Sequence, residues 1–273
     1  MSYTFEPDQM YRMPTHFGPA TGPRRGPNGQ TFPCKDNPKS TRIHVSFLSN
    51  AKQLEALLPP GFTLHGDPIV TVFASYLTEI AWLAGRGYNV LGVTIPATFS
   101  GQKDTATGPF LTVLWENLAD PIITGREELG FSKIYCELPE INVVDDSASA
   151  DASWLDFHFL NIKVENLKPR NESLVEDKVD GQLHYKYMPR TGQWGSSDCQ
   201  YAVITPSEGS NALVQEDLIG DGTVNWTPAK WEDLPTFYQV VNAFARLEVK
   251  AFLDCGLSRS IGGRDLSDQR ILI

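Results

Sequence analysis

Hydrophobic and polar residues alternate in many short segments of this chain, a pattern typical of β-strands. The first such segment, Arg42 to Leu48, is followed by Asn50 and Gln53, whose spacing predicts the start of a short helix. Further strands are predicted at residues 68–76, 88–95, 109–118, 154–164, 174–179, 183–188 and 201–205. The loops between them are too short to mark a domain boundary. We therefore expect one domain dominated by strands.

Residues 1–40 hold many of the prolines and glycines, which is typical of an extended segment. We expect an N-terminal arm here that wraps around the body of the protein or a neighbouring subunit. Residues 41–273 are expected to form a single α+β, β-rich domain flanked by a few helices. Its mainly antiparallel sheet is expected to curl into a barrel, which leaves no exposed edge.

The clearest helical pattern lies near the C-terminus. From Thr236 to Gly256 hydrophobic residues recur every three or four positions, which predicts an amphipathic helix. At about 100° per residue, Glu248 falls near the middle of the hydrophobic face, so its carboxylate is expected to be buried. A buried carboxylate is either protonated or paired with a cation. Glu248 is therefore a candidate for acid–base catalysis and, equally, for a structural ion pair with Arg42.

One lysine interrupts an otherwise apolar strand pattern. Thr124 and Glu127 have the spacing of a helix capping box, and the strand pattern begins soon after them. On that strand Lys133 shares a face with Phe131 and Tyr135. Burial of the face would lower the pKa of the lysine and make its amine nucleophilic. Most lysines in alternating strands face water, however, so spacing alone leaves both interpretations open.

Charge and composition narrow the classes of partner. The formal net charge is -10 and no basic cluster is present, so nucleic acid is not an expected partner. The hydrophobic runs are far shorter than the ~20 residues of a membrane span. The first residues lack the features of a signal peptide, which makes a cytoplasmic location the default expectation.

Cysteine spacing and the absence of common motifs narrow the chemistry. The four cysteines are far apart and the five histidines are scattered, so we expect no metal site. The chain contains no G-x-S-x-G, H-E-x-x-H or Walker A motif, which favours a mechanism without a cofactor. A desolvated lysine that condenses with a carbonyl substrate is one such mechanism.

Several motifs resemble those of the acetoacetate decarboxylase-like superfamily. Residues 125–133, GREELGFSK, are similar to the family's G-R-E-x-x-x-[FY]-P-K segment, whose lysine forms a Schiff base. Residues 88–96, YNVLGVTIP, resemble the Y-x-E-x-G-x-x-I-P strand upstream of it. With counterparts at 185–189 and 246–249, the resemblance covers roughly residues 40–255. It implies a closed, cone-like β-barrel with an internal cavity, assembly as a homo-oligomer and a Schiff base at Lys133.

The chain departs from the family pattern at charged positions. Ile134 stands where the decarboxylases have a second lysine, and Val90 replaces the glutamate of the upstream strand. Phe73 falls near an earlier acidic position of the family. The family's N-terminal arginine has no secure match, with Lys39 and Arg42 as candidates. If Val90 lines the cavity, these replacements suggest a larger and more apolar substrate than acetoacetate.

An iminium at Lys133 is an electron sink, so the resemblance supports more than one reaction. The leading hypothesis is a Schiff-base lyase that decarboxylates a β-keto acid or related carbonyl compound, with Arg126 anchoring the carboxylate. The second is an aldolase, dehydratase or hydratase that uses the same lysine and a proton shuttle. The third is a non-catalytic barrel that binds an apolar small molecule, with Lys133 in an ion pair to Glu116 or Glu248.

These hypotheses define the candidate site residues. The catalytic candidates are Lys133, Glu248 and Arg126. The candidates for substrate binding are Phe131, Tyr135, Tyr88, Val90, Ile134, Glu116, Phe73 and Arg42. The candidates for the proton shuttle of the second hypothesis are Glu248, Glu116, Glu79, Tyr88 and Tyr135. The expected partner is a small-molecule carbonyl substrate.

Overall fold

The computed structural model describes residues 4–22, 24–171 and 178–273, so most of the strand predicted at 174–179 lies outside the described residues. The helices are α1 (Ala51–Glu55), α2 (Ala119–Thr124) and α3 (Tyr238–Ala245), with 3₁₀ turns at Thr15–Phe17 and Ala81–Leu83 and a π-helical turn at Gly125–Leu129. The strands are β1 (Lys39–Leu48), β2 (Phe62–Leu64), β3 (Ile69–Ile80), β4 (Arg86–Ser100), β5 (Thr105–Glu116), β6 (Lys133–Tyr135), β7 (Asn142–Val144), β8 (Ser147–Trp154), β9 (Phe157–Pro169), β10 (Gly181–Pro189), β11 (Ser197–Pro206), β12 (Leu213–Trp226), β13 (Ala251–Ile261) and β14 (Arg270–Leu272).

In the described residues these strands form one 14-stranded sheet. Its order is β14-β11-β10-β5-β4-β3-β1-β13-β12-β9-β8-β7, with β2 paired to β4 and β6 paired to β5. The β-rich prediction is confirmed. The sheet is mixed, because β5 runs parallel to both β6 and β10. β14 and β7 do not pair with each other, so the predicted closed barrel is not confirmed. Both edge strands are three residues long, which limits the exposed edge without closure.

Both faces of the sheet bury hydrophobic residues. On one face the main core includes Val93 and Trp115. The Trp115 ring lies 5.6 Å from Phe159 of β9 and 6.1 Å from Phe244 of α3, measured between centroids. The opposite face carries a second hydrophobic cluster, which consists of Phe73, Ile80, Tyr88, Val90, Leu111, Leu114, Leu129 and Phe131. Burial on both faces explains why β3, β4 and β5 contain nearly continuous hydrophobic runs.

The N-terminal segment packs against the rest of the same chain. Within the described part of residues 4–38 the Thr15–Phe17 turn is the one helical element, and the segment contains no strand. The Ala20 N–H donates to the Met10 carbonyl at 2.8 Å, and Arg12 forms an ion pair with Glu128. Farther along, Asn211 Nδ2 donates to the Pro33 carbonyl at 2.7 Å. The division of the chain into an arm and one domain stays a prediction.

The C-terminal helix is shorter than predicted. α3 ends at Ala245, and the chain from Ala251 is strand β13, which pairs with β1 on one side and β12 on the other. Backbone hydrogen bonds on both sides of β13 outweigh the helical periodicity of its sequence. Glu248 lies in the connecting segment with 51% of its side chain exposed, and it accepts a hydrogen bond from Asn50 Nδ2 at 3.3 Å. The predicted burial of Glu248 is therefore wrong.

Candidate active site

The segment between β5 and β6 places Lys133 beside the end of β5. α2 continues directly into the π-helical turn, which ends at Gly130 with a φ of 81°. The Ser132 carbonyl accepts the Leu114 N–H at 3.0 Å, and β6 then pairs in parallel with the end of β5. The predicted capping box is wrong, because Thr124 lies in the last turn of α2 and its hydroxyl donates to the Asp120 carbonyl. α2 and the π-helical turn thus bring the chain back beside β5, so that Lys133 lies next to Leu114.

The Lys133 side chain is enclosed and is 2% exposed. Its Nζ lies 2.8 Å from Glu116 Oε1, donates to the Pro121 carbonyl at 3.0 Å and is 5.0 Å from the Phe131 ring centroid. Gly125 makes room for it: a Cβ at this position would lie 2.4 Å from Lys133 Cδ and 2.7 Å from Nζ. The lysine is therefore fixed by one carboxylate, one carbonyl and the absence of a side chain at residue 125.

Burial gives the lysine an unusual pKa. Desolvation lowers the pKa of Lys133 to about 8, with Arg24 contributing in the same direction and Glu116 opposing it. At neutral pH such a lysine carries a larger share of neutral amine than a free lysine does. The residue thus has a measurable fraction of the nucleophilic form at neutral pH.

Glu116 is the second ionisable group of the site. It is fully buried, and desolvation raises its pKa against the attraction of Lys133. Its Oε1 forms an ion pair with the Lys133 ammonium at 2.8 Å. Its Oε2 accepts no hydrogen bond from the residues that the structure describes. A buried carboxylate with one unpaired oxygen is suited to exchange protons with a bound molecule.

Arg24 enters the site from the N-terminal arm. Its guanidinium lies 5.2 Å from the Trp82 ring centroid and beside Tyr88, whose hydroxyl it approaches closely. Burial raises the pKa of Tyr88, and Arg24 partly offsets this rise. The Nε of Arg24 is buried and has no hydrogen-bond partner among the described residues. Arg24 therefore offers a cation and an unused donor close to Lys133.

His184 lies behind Phe131, with 4.2 Å between the two ring centroids. It is fully buried, and burial together with the charge of Lys133 lowers the pKa of His184 to about 3. The imidazole is therefore neutral at physiological pH. Its Nε2 contacts Thr205 Oγ1 at 2.9 Å, whereas Nδ1 has no partner among the described residues.

Strand register orders the site in two rows on one face of the sheet. Directly paired residues of neighbouring strands point to the same face, as do residues two apart in one strand. The first row consists of Arg42, Ser75, Val90, Glu116 and Tyr135. The second row consists of His44, Phe73, Gly92, Leu114 and Lys133. The Lys133–Glu116 pair and the second hydrophobic cluster thus share a face.

This face brings together most of the residues predicted from the sequence, namely Lys133, Glu116, Phe131, Tyr88, Val90, Phe73 and Arg42. Val90 packs in the second hydrophobic cluster on this face. The suggestion of a more apolar substrate, which depends on Val90 lining a cavity, stays a prediction. The Arg42 guanidinium lies 3.9 Å from the Phe73 ring centroid, and burial lowers the pKa of Arg42 to about 10. The functional roles of these residues stay predictions.

Four predicted residues lie outside the enclosed part of this face. Glu248 is near α1 at the surface. Tyr135 pairs with Glu116 and continues the first row, but it is 47% exposed at the end of β6. Ile134 points to the opposite face and joins the main core, because neighbours in a strand alternate. Arg126 is exposed and donates from Nη1 to the Lys133 carbonyl at 2.8 Å, so it holds the lysine backbone. It lines a cavity of about 210 Å³ together with Ile134 and Phe131.

Sequence reasoning missed three residues of the site: Arg24, Gly125 and His184. Gly125 was within the recognised motif, and the space it leaves for Lys133 is seen in the structure alone. Arg24 lies in a segment without hydrophobic periodicity. Its backbone φ is 52°, and apart from the neighbouring glycines the sequence gives no sign of this conformation. His184 lies on a predicted strand, but the sequence did not show that its side chain is buried.

Two cavities flank Arg24. One of about 400 Å³ lies between the arm and α2 and is lined by Arg24 and Thr124. The other, of about 50 Å³, is lined by Arg24 and Tyr88. Lys133 lines neither of them. Among the described residues no three His, Cys, Asp or Glu side chains are grouped to hold a metal, and no helix there is long and apolar enough to span a bilayer.

Solved structures with a similar fold include three relevant proteins. Acetoacetate decarboxylase from Legionella pneumophila is 15% identical, with a TM-score of 0.61 over 87% of this chain and 88% of that chain. The enduracididine biosynthesis enzyme MppR is 13% identical, with a TM-score of 0.63 and coverage of 90% and 92%. An acetoacetate decarboxylase-like enzyme from Sphingomonas wittichii is 16% identical, with a TM-score of 0.60 and coverage of 91% and 97%. At these low identities the comparisons show that the fold is similar, and no more.

The sequence itself matches the family model of acetoacetate decarboxylase (ADC) over residues 12–254. No curated protein sequence matches the chain significantly. The family match confirms the resemblance read from the motifs, and it extends into the N-terminal arm that carries Arg24. Because the model covers most of the chain, the protein belongs to the acetoacetate decarboxylase family.

Proposed function

We propose that the protein is a lyase that forms a Schiff base between Lys133 and a carbonyl substrate and decarboxylates a β-keto acid. One observation carries this proposal. Lys133 is enclosed with a pKa lowered to about 8, and its amine lies 2.8 Å from Oε1 of a buried carboxylate whose Oε2 has no partner among the described residues. Desolvation activates the lysine here, whereas Ile134 occupies the position of the family's second lysine and faces the other side of the sheet.

Schiff-base formation uses both groups of the pair. Glu116 takes a proton from the Lys133 ammonium, and the neutral amine attacks the substrate carbonyl. The carbinolamine oxygen then receives a proton and leaves as water, which produces an iminium. The raised pKa of Glu116 suits both steps, because the carboxyl group holds the transferred proton at little cost.

Carbon–carbon cleavage follows from the iminium. The electron pair of the bond to the carboxylate moves to the iminium nitrogen, CO2 leaves and an enamine remains. Glu116, which has returned its first proton to the departing water, takes up a second proton from solvent and delivers it to the enamine carbon. Hydrolysis of the resulting iminium by water then releases the ketone and regenerates Lys133. Arg24 anchors the reacting carboxylate through its unused Nε donor. Arg126 instead fixes the Lys133 backbone.

Access to the lysine involves the arm. Arg24 stands between the two flanking cavities and α2 covers the ammonium through the Pro121 carbonyl. Substrate entry therefore requires displacement of Arg24 or of this helix. Closure of the arm over a bound substrate excludes water while the iminium reacts.

A second candidate is an aldolase, dehydratase or hydratase that uses the same iminium. The observation in its favour is Glu116, a buried carboxylate next to the Lys133 nitrogen that could shuttle protons. Removal of an α-proton needs such a group more than decarboxylation does. MppR, one of the similar structures, was solved with the condensation product of pyruvate and imidazole 4-carboxaldehyde. The third hypothesis, a non-catalytic binding protein, treats the Lys133–Glu116 pair as structural. A homo-oligomeric assembly, a cytoplasmic location and independence of cofactors complete the proposal.

Borohydride trapping tests the proposal. The protein is treated with a panel of 2- and 3-keto acids and borohydride, and the modified peptide is identified by mass mapping. We expect an adduct on Lys133, with CO2 release for at least one β-keto acid. Lys133→Met should abolish the adduct, whereas Lys163→Met, at an exposed lysine, should not. The double variant Lys133→Met/Glu116→Gln serves if the single variant does not fold, since it leaves no unpaired buried carboxylate.

The outcomes separate the hypotheses. An adduct without CO2 release, but with aldol or dehydration products, supports the second candidate. The absence of any adduct on Lys133 would reject Schiff-base chemistry and leave the binding protein.

A further inference from the structure

The sheet has an opening beside the reactive lysine. β4 pairs along one whole edge of β5, so β10 and β6 share the other edge. On that edge β10 pairs at Leu183–Phe110 alone, and β6 pairs from Leu114 onward. No described strand pairs with this edge between the two points, where Thr112 and Val113 lie. A cavity of about 210 Å³ occupies the place, and both residues line it. The opening therefore lies between β10 and β6.

The Phe131 ring lies between this cavity and Lys133. It lines the cavity, packs in the second hydrophobic cluster, and has its centroid 5.0 Å from Lys133 Nζ. Two hydrogen bonds hold its backbone: its N–H donates to the Gly125 carbonyl at 3.0 Å, and its carbonyl accepts the Lys133 N–H at 2.9 Å. The ring itself borders empty space. A change of its side-chain rotamer therefore connects the cavity to the amine without movement of the backbone.

The wall of the cavity is mainly apolar. Two cations line it, but each already donates to a backbone carbonyl: Arg126 to that of Lys133 at 2.8 Å and Lys186 to that of Glu127 at 2.5 Å. Such a wall favours an uncharged aliphatic or aromatic group, which gains free energy by leaving water. The hydrophobic side chains come from β5, β6, β10 and the region of α3, namely Val113, Ile134, Met188, Phe237 and Val240.

We infer that the substrate carries an uncharged tail, which passes Phe131 and occupies this cavity while Lys133 holds the carbonyl. The substrate is then a medium-chain β-keto acid. In an iminium of acetoacetate the methyl carbon lies two bonds from Nζ, about 2.5 Å, and so does not pass the ring centroid at 5.0 Å. The carboxylate stays near Arg24, and Phe131 and Val240 limit the length of the tail. This inference rests on the proposed function of Lys133.

A series of ketones tests the inference. The concentration for half-maximal borohydride trapping on Lys133 is measured with 2-butanone, 2-hexanone and 2-octanone, the ketones that β-keto acids of increasing length would release. We expect this concentration to fall roughly fourfold for each added methylene group, because the tail leaves water. 7-Oxooctanoate ends the same chain as 2-octanone in a carboxylate, and its half-maximal concentration should be at least threefold higher than that of 2-octanone.

Substitutions that fill the cavity test its role. Val240→Trp on α3 and Met188→Trp on β10 should each raise the half-maximal concentration of 2-octanone at least tenfold and that of 2-butanone less than threefold. Val214→Trp, at an exposed valine outside the cavity, should change neither value. A 2-octanone with a terminal diazirine, trapped on Lys133 of the wild-type protein and irradiated, should cross-link to β10 or α3. This last readout needs no substitution, so it decides even if a filled cavity prevents folding.

The two proposals fail differently. Similar half-maximal concentrations for all three ketones, or equal effects of Val240→Trp on the short and the long ketone, would overturn the role of the cavity while leaving the Schiff base intact. Stronger trapping of 7-oxooctanoate than of 2-octanone would overturn the uncharged tail, and cross-links to the N-terminal arm or α2 would overturn its place in the cavity. Failure of all three ketones to modify Lys133 would reject the proposed function and this inference with it.

Discussion

Three influences, two of which act in the same direction, set the pKa of Lys133. Desolvation lowers its pKa most, Glu116 stabilises the ammonium, and Arg24 destabilises it. The result near 8 keeps the lysine close to the pH at which it would act. In the family pattern a second lysine follows the reactive one, and here that position faces the main core. Burial and Arg24 therefore lower the pKa of Lys133 without an adjacent lysine.

Two substitutions should shift the pKa of Lys133 in opposite directions. Glu116→Gln removes the charge that stabilises the ammonium, so the pKa should fall below about 8. Arg24→Met removes a repulsive charge, so the pKa should rise toward the ordinary value of 10.5. NMR titration of protein labelled at lysine Cε measures both shifts, and Lys163→Met is a control that should leave the Lys133 titration unchanged. A rise in Glu116→Gln would contradict the geometry given for the pair.

At the scale of residues the sequence predicts Lys133 and its partner Glu116 better than it predicts the nearby cation Arg24. Lys133 and Glu116 lie on strands whose alternation is readable, so their common face follows once the pairing is known. Arg24 could not be found because the arm has no periodicity. Glu248 was misplaced because residues 247–252 have helical spacing, although the chain from Ala251 is a strand with neighbours on both sides.

At the scale of elements, the continuous α2 and π-helical turn positions the lysine. Gly125 stands where the two meet, with helical backbone angles of φ −64° and ψ −41°. Alanine is compatible with this conformation and favours helix by up to about 1 kcal/mol. Its Cβ would, however, overlap the end of the Lys133 side chain. The glycine is required for space rather than for backbone freedom.

Gly125→Ala should therefore reduce trapping because it removes the space for Lys133. We expect the rate of Schiff-base trapping to fall at least tenfold, and the free energy of unfolding to fall by a few kcal/mol as the displaced lysine leaves the buried Glu116 less well paired. Gly130→Ala is the matched control. Its φ of 81° is unfavourable for alanine, so it should lose about 1 kcal/mol of stability, yet its Cβ would touch Val203 and Lys186 rather than Lys133. Trapping rates and urea unfolding measure the two effects. Loss of trapping in both variants would show that the turn, and not the space at Gly125, controls the lysine.

The elements themselves were predictable where hydrophobic alternation is strong. β1, β4, β10 and β11 include predicted segments, and β3, β5 and β9 contain most of the segments predicted at 68–76, 109–118 and 154–164. Asn50 does begin α1 by accepting the Lys52 N–H at 3.0 Å. β12 was missed, because many of its outward residues are polar and its glycines interrupt the pattern. Sheet order was not predictable either, since pairing depends on contacts between distant segments.

At the scale of the whole molecule, a charged cluster joins the strands that lie beyond the site. Asp254 of β13 contacts His44 of β1 at 2.9 Å and Arg170, just after β9, at 2.8 Å. Arg170 also contacts Asp217 of β12 at 2.8 Å. The cluster therefore ties β1, β13 and β12 to the end of β9 along the sheet order. The hydrogen bond from His44, aided by Arg170, lowers the pKa of Asp254 to about 2.

This pKa predicts how acid weakens the sheet. The folded value lies below the ordinary 3.8, so the Asp254 carboxylate contributes stability above about pH 4 and loses it as the pH falls toward 2. Asp254→Asn should be less stable than wild type at pH 5, and the difference should shrink between pH 4 and pH 2. Urea unfolding midpoints at pH 5, 3.5 and 2.5 measure this, with Asp198→Asn, in an exposed pair, as a control without the same trend. A difference that is constant with pH would show that Asp254 acts through packing, and the charged cluster would then not be what holds these strands together.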